Sequence, residues 1–233
     1  MLKVENLDTG YGRNQILADL SMEYREDRMA TVIGPNGAGK STLFKAIFGM
    51  LEVWEGSVKL GDVDLTDMTP AEHLDKGLAL VPQGQNVFGN MSVRENLEMG
   101  GYGQDRDELR ENIQDIYEMF PLLEDRKGQK AKTMSGGEQQ LLEMGRVLMR
   151  DPDIVLLDEP SLGLAPDLMD DIFDHVVTIH EEGVGILMIE QNADKALELC
   201  DHAFVLDDGH ILHEGDASEI RNRDDIQKLY LGG

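Results

Sequence analysis

With 233 residues, of which 41% are hydrophobic, the chain suits one large α/β domain or a core with an insertion, and it is too long to depend on disulfide staples. Its 46 acidic side chains against 21 basic ones give a formal net charge of −25, which repels phosphate backbones, and no run of Lys and Arg sets aside a basic groove, so nucleic acid is excluded as a partner. The single cysteine, Cys200, cannot form an internal disulfide, no export signal is read, and the longest apolar runs are strand-sized, such as Ile186-Leu187-Met188-Ile189. The expectation is a reducing compartment and a membrane connection made only through a partner.

Taken in order, Leu2-Lys3-Val4-Glu5-Asn6-Leu7 and Ile16-Leu17-Ala18-Asp19-Leu20-Ser21-Met22 fit short strands of an antiparallel sheet, joined by a loop that carries Gly10-Tyr11-Gly12. A tyrosine between glycines on a loop offers a ring face for a purine, and a plain turn tyrosine fits the spacing equally well. Met29-Ala30-Thr31-Val32-Ile33 reads as a buried strand. It runs into Gly34-Pro35-Asn36-Gly37-Ala38-Gly39-Lys40-Ser41-Thr42, which fills the phosphate-loop pattern G-x-x-x-x-G-K-[ST]. Glycines turn successive N–H groups inward, Lys40 adds a cation and Ser41 a hydroxyl able to sit on Mg²⁺. Leu43, Phe44, Ile47 and Phe48 then give helical spacing, so a helix N-terminus points at the anion.

Residues 55 to 65, with a Gly61-Asp62 turn, read as a return hairpin of the first sheet. Leu78-Ala79-Leu80-Val81 is a strand that leads to Pro82-Gln83-Gly84. Ser92 with Glu95 makes a capping box, and Leu109, Ile113, Ile116, Tyr117 and Phe120 form an apolar face stopped by Pro121, so residues 84 to 150 are expected to be a helical insertion. Met134-Ser135-Gly136-Gly137-Glu138-Gln139-Gln140 opens another capped helix. Its two glycines leave bare amides suited to a phosphate of unstated origin.

Ile154-Val155-Leu156-Leu157 ends in Asp158-Glu159-Pro160. Paired carboxylates at a strand end beside a phosphate loop supply one acid for the metal shell and the next to polarise water. A long amphipathic helix from Pro166 stops at Gly183. Gly185-Ile186-Leu187-Met188-Ile189 is a central strand ending at Glu190-Gln191-Asn192, and a helix from Ala193 to Cys200 and a hairpin through Asp208-Gly209 complete the chain. The six histidines lack metal-ligand pairing and are expected at the surface.

With the phosphate loop, Gln83, Ser135-Gly136-Gly137-Glu138-Gln139 and Leu157-Asp158-Glu159-Pro160 in this order, the whole chain resembles the ATP-binding-cassette (ABC) ATPases. Thr133 to Gln140, Ser161-Leu162-Gly163-Leu164-Ala165-Pro166, Ile189-Glu190-Gln191-Asn192-Ala193 and Tyr230-Leu231-Gly232-Gly233 are similar to the LivF-type subunit of branched-chain amino acid importers. Urea and amide importers use closely similar subunits. The resemblance implies an α/β fold with a RecA-like phosphate-loop NTPase core, an antiparallel β-subdomain over about 1–30 and 55–65, and a helical subdomain over about 84–150.

It further implies that Tyr11 stacks on adenine, that Gly34, Pro35, Asn36, Gly37, Ala38, Gly39, Lys40, Ser41 and Thr42 hold ATP, and that Ser41, Gln83 and Asp158 attend Mg²⁺. Glu159 is implied as general base, with Gln83 and Gln191 beside the attacking water. Ser135, Gly136, Gly137 and Glu138 would cap ATP held by a second ATPase subunit in a head-to-tail dimer. Membrane permease subunits and, indirectly, an extracellular solute-binding protein are the implied partners, with the chain peripheral on the cytoplasmic face of the membrane.

Gln191 stands where most ABC ATPases carry a switch histidine, and Leu164 where their interface loop carries an aspartate. Glutamine hydrogen-bonds a phosphate or a water but takes up no proton at neutral pH. A soluble ABC protein acting as a nucleotide-gated clamp is the rival from another class, and the basic groove or long coiled coil expected of it does not appear. The acid excess fits a salt-rich cytoplasm, where screening removes most self-repulsion.

Overall fold

The computed structural model describes residues 1–84 and 86–230; Gln85 and the terminal 231–233, part of the last LivF-like segment, lie outside the described residues. β1 (Leu2–Tyr11) and β2 (Asn14–Tyr24) form one long antiparallel hairpin. Leu2 and Val4 alternate inward, and a register shift at Asn6, whose φ is 48°, brings Leu7 back to the same buried side. The strands are longer than the sequence pattern suggested, because such bulges break strict alternation. Tyr11 therefore ends β1, paired with Asn14, and is not part of a separate loop.

β3 (Met29–Ile33) is buried throughout and leads through the glycine-rich loop to α1 (Lys40–Ile47). β4 (Val53–Leu60) and the short β5 (Val63–Asp64) return to the first sheet, whose order is β2-β1-β4-β5. α2 (Pro70–Asp75), capped by Thr69, precedes β6 (Leu78–Val81). Within it His73 is 1% exposed, its Nε2 3.1 Å from the Leu65 carbonyl and its ring edge-on to Phe48. This corrects the surface expectation for His73: set between Phe48 and the Leu65 carbonyl, the ring packs as a core residue, and burial holds its pKa below the usual range.

Among the described residues four α-helices follow: α3 (Val93–Gly100), α4 (Arg106–Met119), α5 (Pro121–Asp125) and, after a 3-10 turn at Ala131–Thr133, α6 (Gly136–Leu148). Ser92 and Ser135 make reciprocal capping boxes with Glu95 and Glu138, each cap being a contribution of about 1 kcal/mol. β7 (Ile154–Asp158), α7 (Pro166–Glu181), β8 (Gly185–Ile189), α8 (Ala193–Leu199), β9 (His202–Asp207), β10 (His210–Asp216), α9 (Ala217–Arg221) and α10 (Asp224–Tyr230) complete the described chain. Cys200 is buried at the end of α8, where burial pushes its thiol pKa far up, so it packs as an apolar group.

The second sheet has the order β10-β9-β3-β8-β7-β6, parallel except for the β9–β10 hairpin. Strands β3, β7 and β8 are buried at every position, as expected for a parallel sheet covered on both faces. One face packs Val32, Leu156, Leu187 and Phe204 with Leu43, Phe44 and Ile47 of α1 and the inner side of the antiparallel sheet. The other packs Val155, Ile186 and Met188 into a core shared with Leu97, Ile116, Leu142, Phe173 and Leu197 from the helices. Helix α1 is thus clamped between two sheets, which fixes the aim of its first turn.

Candidate active site

The loop between β3 and α1 is shaped by close approach. Gly39 caps α1 at φ 105°, a left-handed conformation, and a Cβ there would lie 2.6 Å from Leu17 Cδ2. A Cβ on Gly34 would collide with the Leu206 carbonyl at the end of β9. The β9–β10 turn supports the loop from behind: Gly209 N–H donates to the Ala38 carbonyl at 3.0 Å, and Ala18 N–H donates to the Gly209 carbonyl at 3.3 Å.

Lys40 is 6% exposed and folds its ammonium back over the loop, donating to the carbonyls of Gly34 (2.8 Å) and Pro35 (3.1 Å). Burial lowers its pKa, while Glu159 and Asp158 pull the other way. The first turn of α1 carries no acidic residue, and the positive end of the helix opens on a hollow of about 340 Å³. Ile16, Asn36, Gly37, Gly39, Lys40, Ser41, Thr42 and Glu159 line it.

Strands β6, β7 and β8 are parallel neighbours, so Gln83, Asp158-Glu159 and Glu190-Gln191 all emerge at the carboxyl edge of the sheet, where these strands end. That edge is where open α/β sheets place their ligands. Buried Asp158 accepts a hydrogen bond from the Ser41 hydroxyl at 3.2 Å. Desolvation raises its pKa, and the Ser41 bond and the charges of Lys45 and Lys40 oppose the rise. Glu159 leaves the strand with φ 52°, its N–H donating to the Ile189 carbonyl at 2.9 Å. Gln83 Nε2 donates to Glu159 Oε2 at 2.8 Å. Phosphate loop, buried acid, second acid and glutamine are therefore joined, and Gln191 stands exposed on the next strand end.

Two groups stand apart. Tyr11 is 47% exposed at the hairpin end and is not among the residues lining the hollow. Ser135, Gly136, Gly137 and Glu138 open α6, where Glu138 accepts from Ser135 N–H at 2.8 Å and pairs with Arg126 at 2.9 Å, and Gly137 faces Leu168 of α7. None of these contacts reaches the phosphate loop. Ile16, Glu190 and the support from Gly209 were not anticipated as parts of the site. The Asp208-Gly209 turn itself is legible as a hairpin, with φ 44° and 80°, but its partner, Ala38, lies far upstream.

A phosphate loop at the end of a buried parallel strand, with two acids at the end of a neighbouring strand, defines a phosphate-loop nucleoside triphosphatase. Comparison with known proteins narrows the class. A family model described as "ABC transporter" matches residues 17–162. The high-affinity branched-chain amino acid transport ATP-binding protein BraG of Pseudomonas aeruginosa is 41% identical over 233 residues, covering all of both chains. A probable LivF of Archaeoglobus fulgidus is 37% identical over 233 residues, covering all of this chain and 99% of its own. Among solved structures, an ATP-binding cassette of an ABC transporter in its ADP conformation is 30% identical with a TM-score of 0.90, covering 100% of this chain and 99% of its own. The chain belongs to the ABC transporter ATP-binding family and is an ATPase of that class.

Proposed function

We propose that the chain is the ATP-hydrolysing subunit of an importer for branched-chain or other hydrophobic amino acids, working at the inner membrane face in a head-to-tail pair of ATPase subunits docked on permease subunits. The observation that carries the catalytic part is the contact of Ser41 with Asp158 and of Gln83 with Glu159, which joins the phosphate loop to two acids at one sheet edge. The solute class is supported by identities of 41% and 37% to subunits bearing that transport name. Among the described residues no helix is long and apolar enough to cross a membrane, so contact with it would run through partners.

In this reading the amides of residues 36 to 42 and the Lys40 ammonium bind the phosphates, with Lys40 exchanging its two carbonyl acceptors for phosphate oxygens. Ile16 and Tyr11 take the nucleoside end. Ser41, Asp158 and Gln83 form an all-oxygen set that suits Mg²⁺. Among the described residues no three His, Cys, Asp or Glu side chains gather to hold an ion by themselves, so the remaining donors would be phosphates and water. When bound, the ion would neutralise charge on the transferring phosphoryl group. Glu159, held towards the site by Gln83, accepts the proton of the attacking water, and Gln191 orients that water without titrating. The glycines of the first turn of α6, whose contacts do not reach its own phosphate loop, cap the γ-phosphate bound by the partner.

Glu159→Gln is expected to bind ATP with unchanged affinity and to lose turnover by more than about a hundredfold, read by equilibrium binding and phosphate release. Persistent turnover removes Glu159 from its role.

A further inference from the structure

One buried carboxylate lies beside the catalytic residues without belonging to them. Glu190 is 2% exposed at the end of β8, and all of its hydrogen bonds are received. Its Oε1 accepts from Ser161 N–H at 3.1 Å, and its Oε2 accepts from the Ser161 hydroxyl at 2.9 Å and from Gln191 N–H at 3.1 Å. Two elements are thereby stitched together beyond their strands. Ser161 opens the loop that carries exposed Leu162 and Gly163 (φ 77°) to α7, and Gln191 opens the turn into α8. Two further bonds close the weave: Glu159 N–H to the Ile189 carbonyl at 2.9 Å and Leu162 N–H to the Glu159 carbonyl at 3.1 Å.

We infer that Glu190 is a positioning residue: it fixes the backbone of Gln191, and so the aim of its side chain, by anchoring it to Ser161 at the root of the 161–165 loop. The inference rests on the catalytic reading above and deepens it. A desolvated carboxylate is costly unless its oxygens are filled, and here three donors fill them. An amide at the same place has only one acceptor oxygen, so its NH₂ must face at least one of the two backbone N–H donors. Three donors converging on both oxygens of one carboxylate are more than packing needs at this depth. Displacement of the 161–165 loop, for example by a docking subunit, is felt at Gln191 through the three bonds on one carboxylate.

The test is a pair of mutant cycles read as single-turnover hydrolysis rates, with protein in excess over magnesium ATP so that slow chemistry is resolved. Glu190→Gln is expected to slow hydrolysis about tenfold while ADP affinity and ATP affinity change less than about twofold. Ser161→Ala is expected to produce a smaller fall in the same direction. In a Gln191→Ala background both changes are expected to have little further effect, since no side chain is left to aim. Multiplicative losses in that background overturn the inference, as does a Glu190→Gln variant that melts earlier but hydrolyses at the normal rate per folded molecule. Should Glu190→Gln fail to fold, the Ser161→Ala cycle alone decides by the same criterion. Failure of the catalytic reading looks different: the unaltered chain and Glu159→Gln would then hydrolyse ATP alike.

Discussion

Lys40 and Gln191 mark opposite demands at the scale of single residues. Lys40 is buried against two carbonyls, and desolvation lowers its pKa, so its charge is held at a cost that only an anionic ligand offsets well. Lys40→Met is expected to weaken ATP binding by more than about a hundredfold without lowering the melting temperature, a combination checked by calorimetry and thermal unfolding. Gln191 offers a hydrogen bond but no titration, so its site is expected to run slowly. Gln191→His should raise turnover and add a dependence near the histidine pKa of about 6.5. Equal, pH-indifferent turnover in both forms refutes that role. The loop from Gly34 to Thr42 and the acids Asp158 and Glu159 stood out as candidates because glycine, lysine and carboxylate at those spacings have few other uses. Glu190 did not, since a glutamate at a strand end looks the same whether it is solvated or sealed.

At the scale of elements, α6 is tied to the segment after Gln83 by Glu143. That side chain is fully buried: its Oε2 accepts Asn86 N–H at 3.0 Å, its Oε1 has no hydrogen-bond partner, and Arg146 comes no nearer than 3.9 Å. Burial raises its pKa. The folded chain therefore holds this proton more tightly than the unfolded one. Its contribution to stability is full below the unfolded carboxylate value of about 4.3 and is lost as pH rises through the raised folded value. Glu143→Gln keeps an acceptor for Asn86 and removes the charge, so denaturant unfolding followed against pH should show a flatter decline for the variant across that window. A parallel decline in both proteins would assign the slope elsewhere. The periodicity of α4, α6 and α7 announced these helices; the Ser135 capping box announced where α6 starts and Pro166 where α7 does. The sequence did not tell that β1 and β2 run on to Tyr11 and Tyr24, because left-handed residues at Asn6 and Asp19 reset the alternation by which strands are recognised.

At the scale of the whole molecule, 25 excess negative charges are spread over a surface whose ion pairs are mostly exposed, such as Lys3 and Lys59 with Glu5. Exposed pairs contribute little and are screened, whereas general repulsion is relieved by the same salt. We therefore expect the melting temperature to rise with molar KCl; indifference to salt would show that general repulsion does not limit stability. Order of contacts matters at this scale as well. The loop that grips phosphate is made by residues 34 to 42, yet its back wall is Leu206 and Gly209, far downstream. During synthesis, which proceeds from the N-terminus, an emerging chain carries the complete phosphate-binding motif long before it owns a rigid socket. A nascent polypeptide halted ahead of Leu206 would thus be blind to ATP, and a response to the nucleotide arises only once the segment from Leu206 to Gly209 has been made.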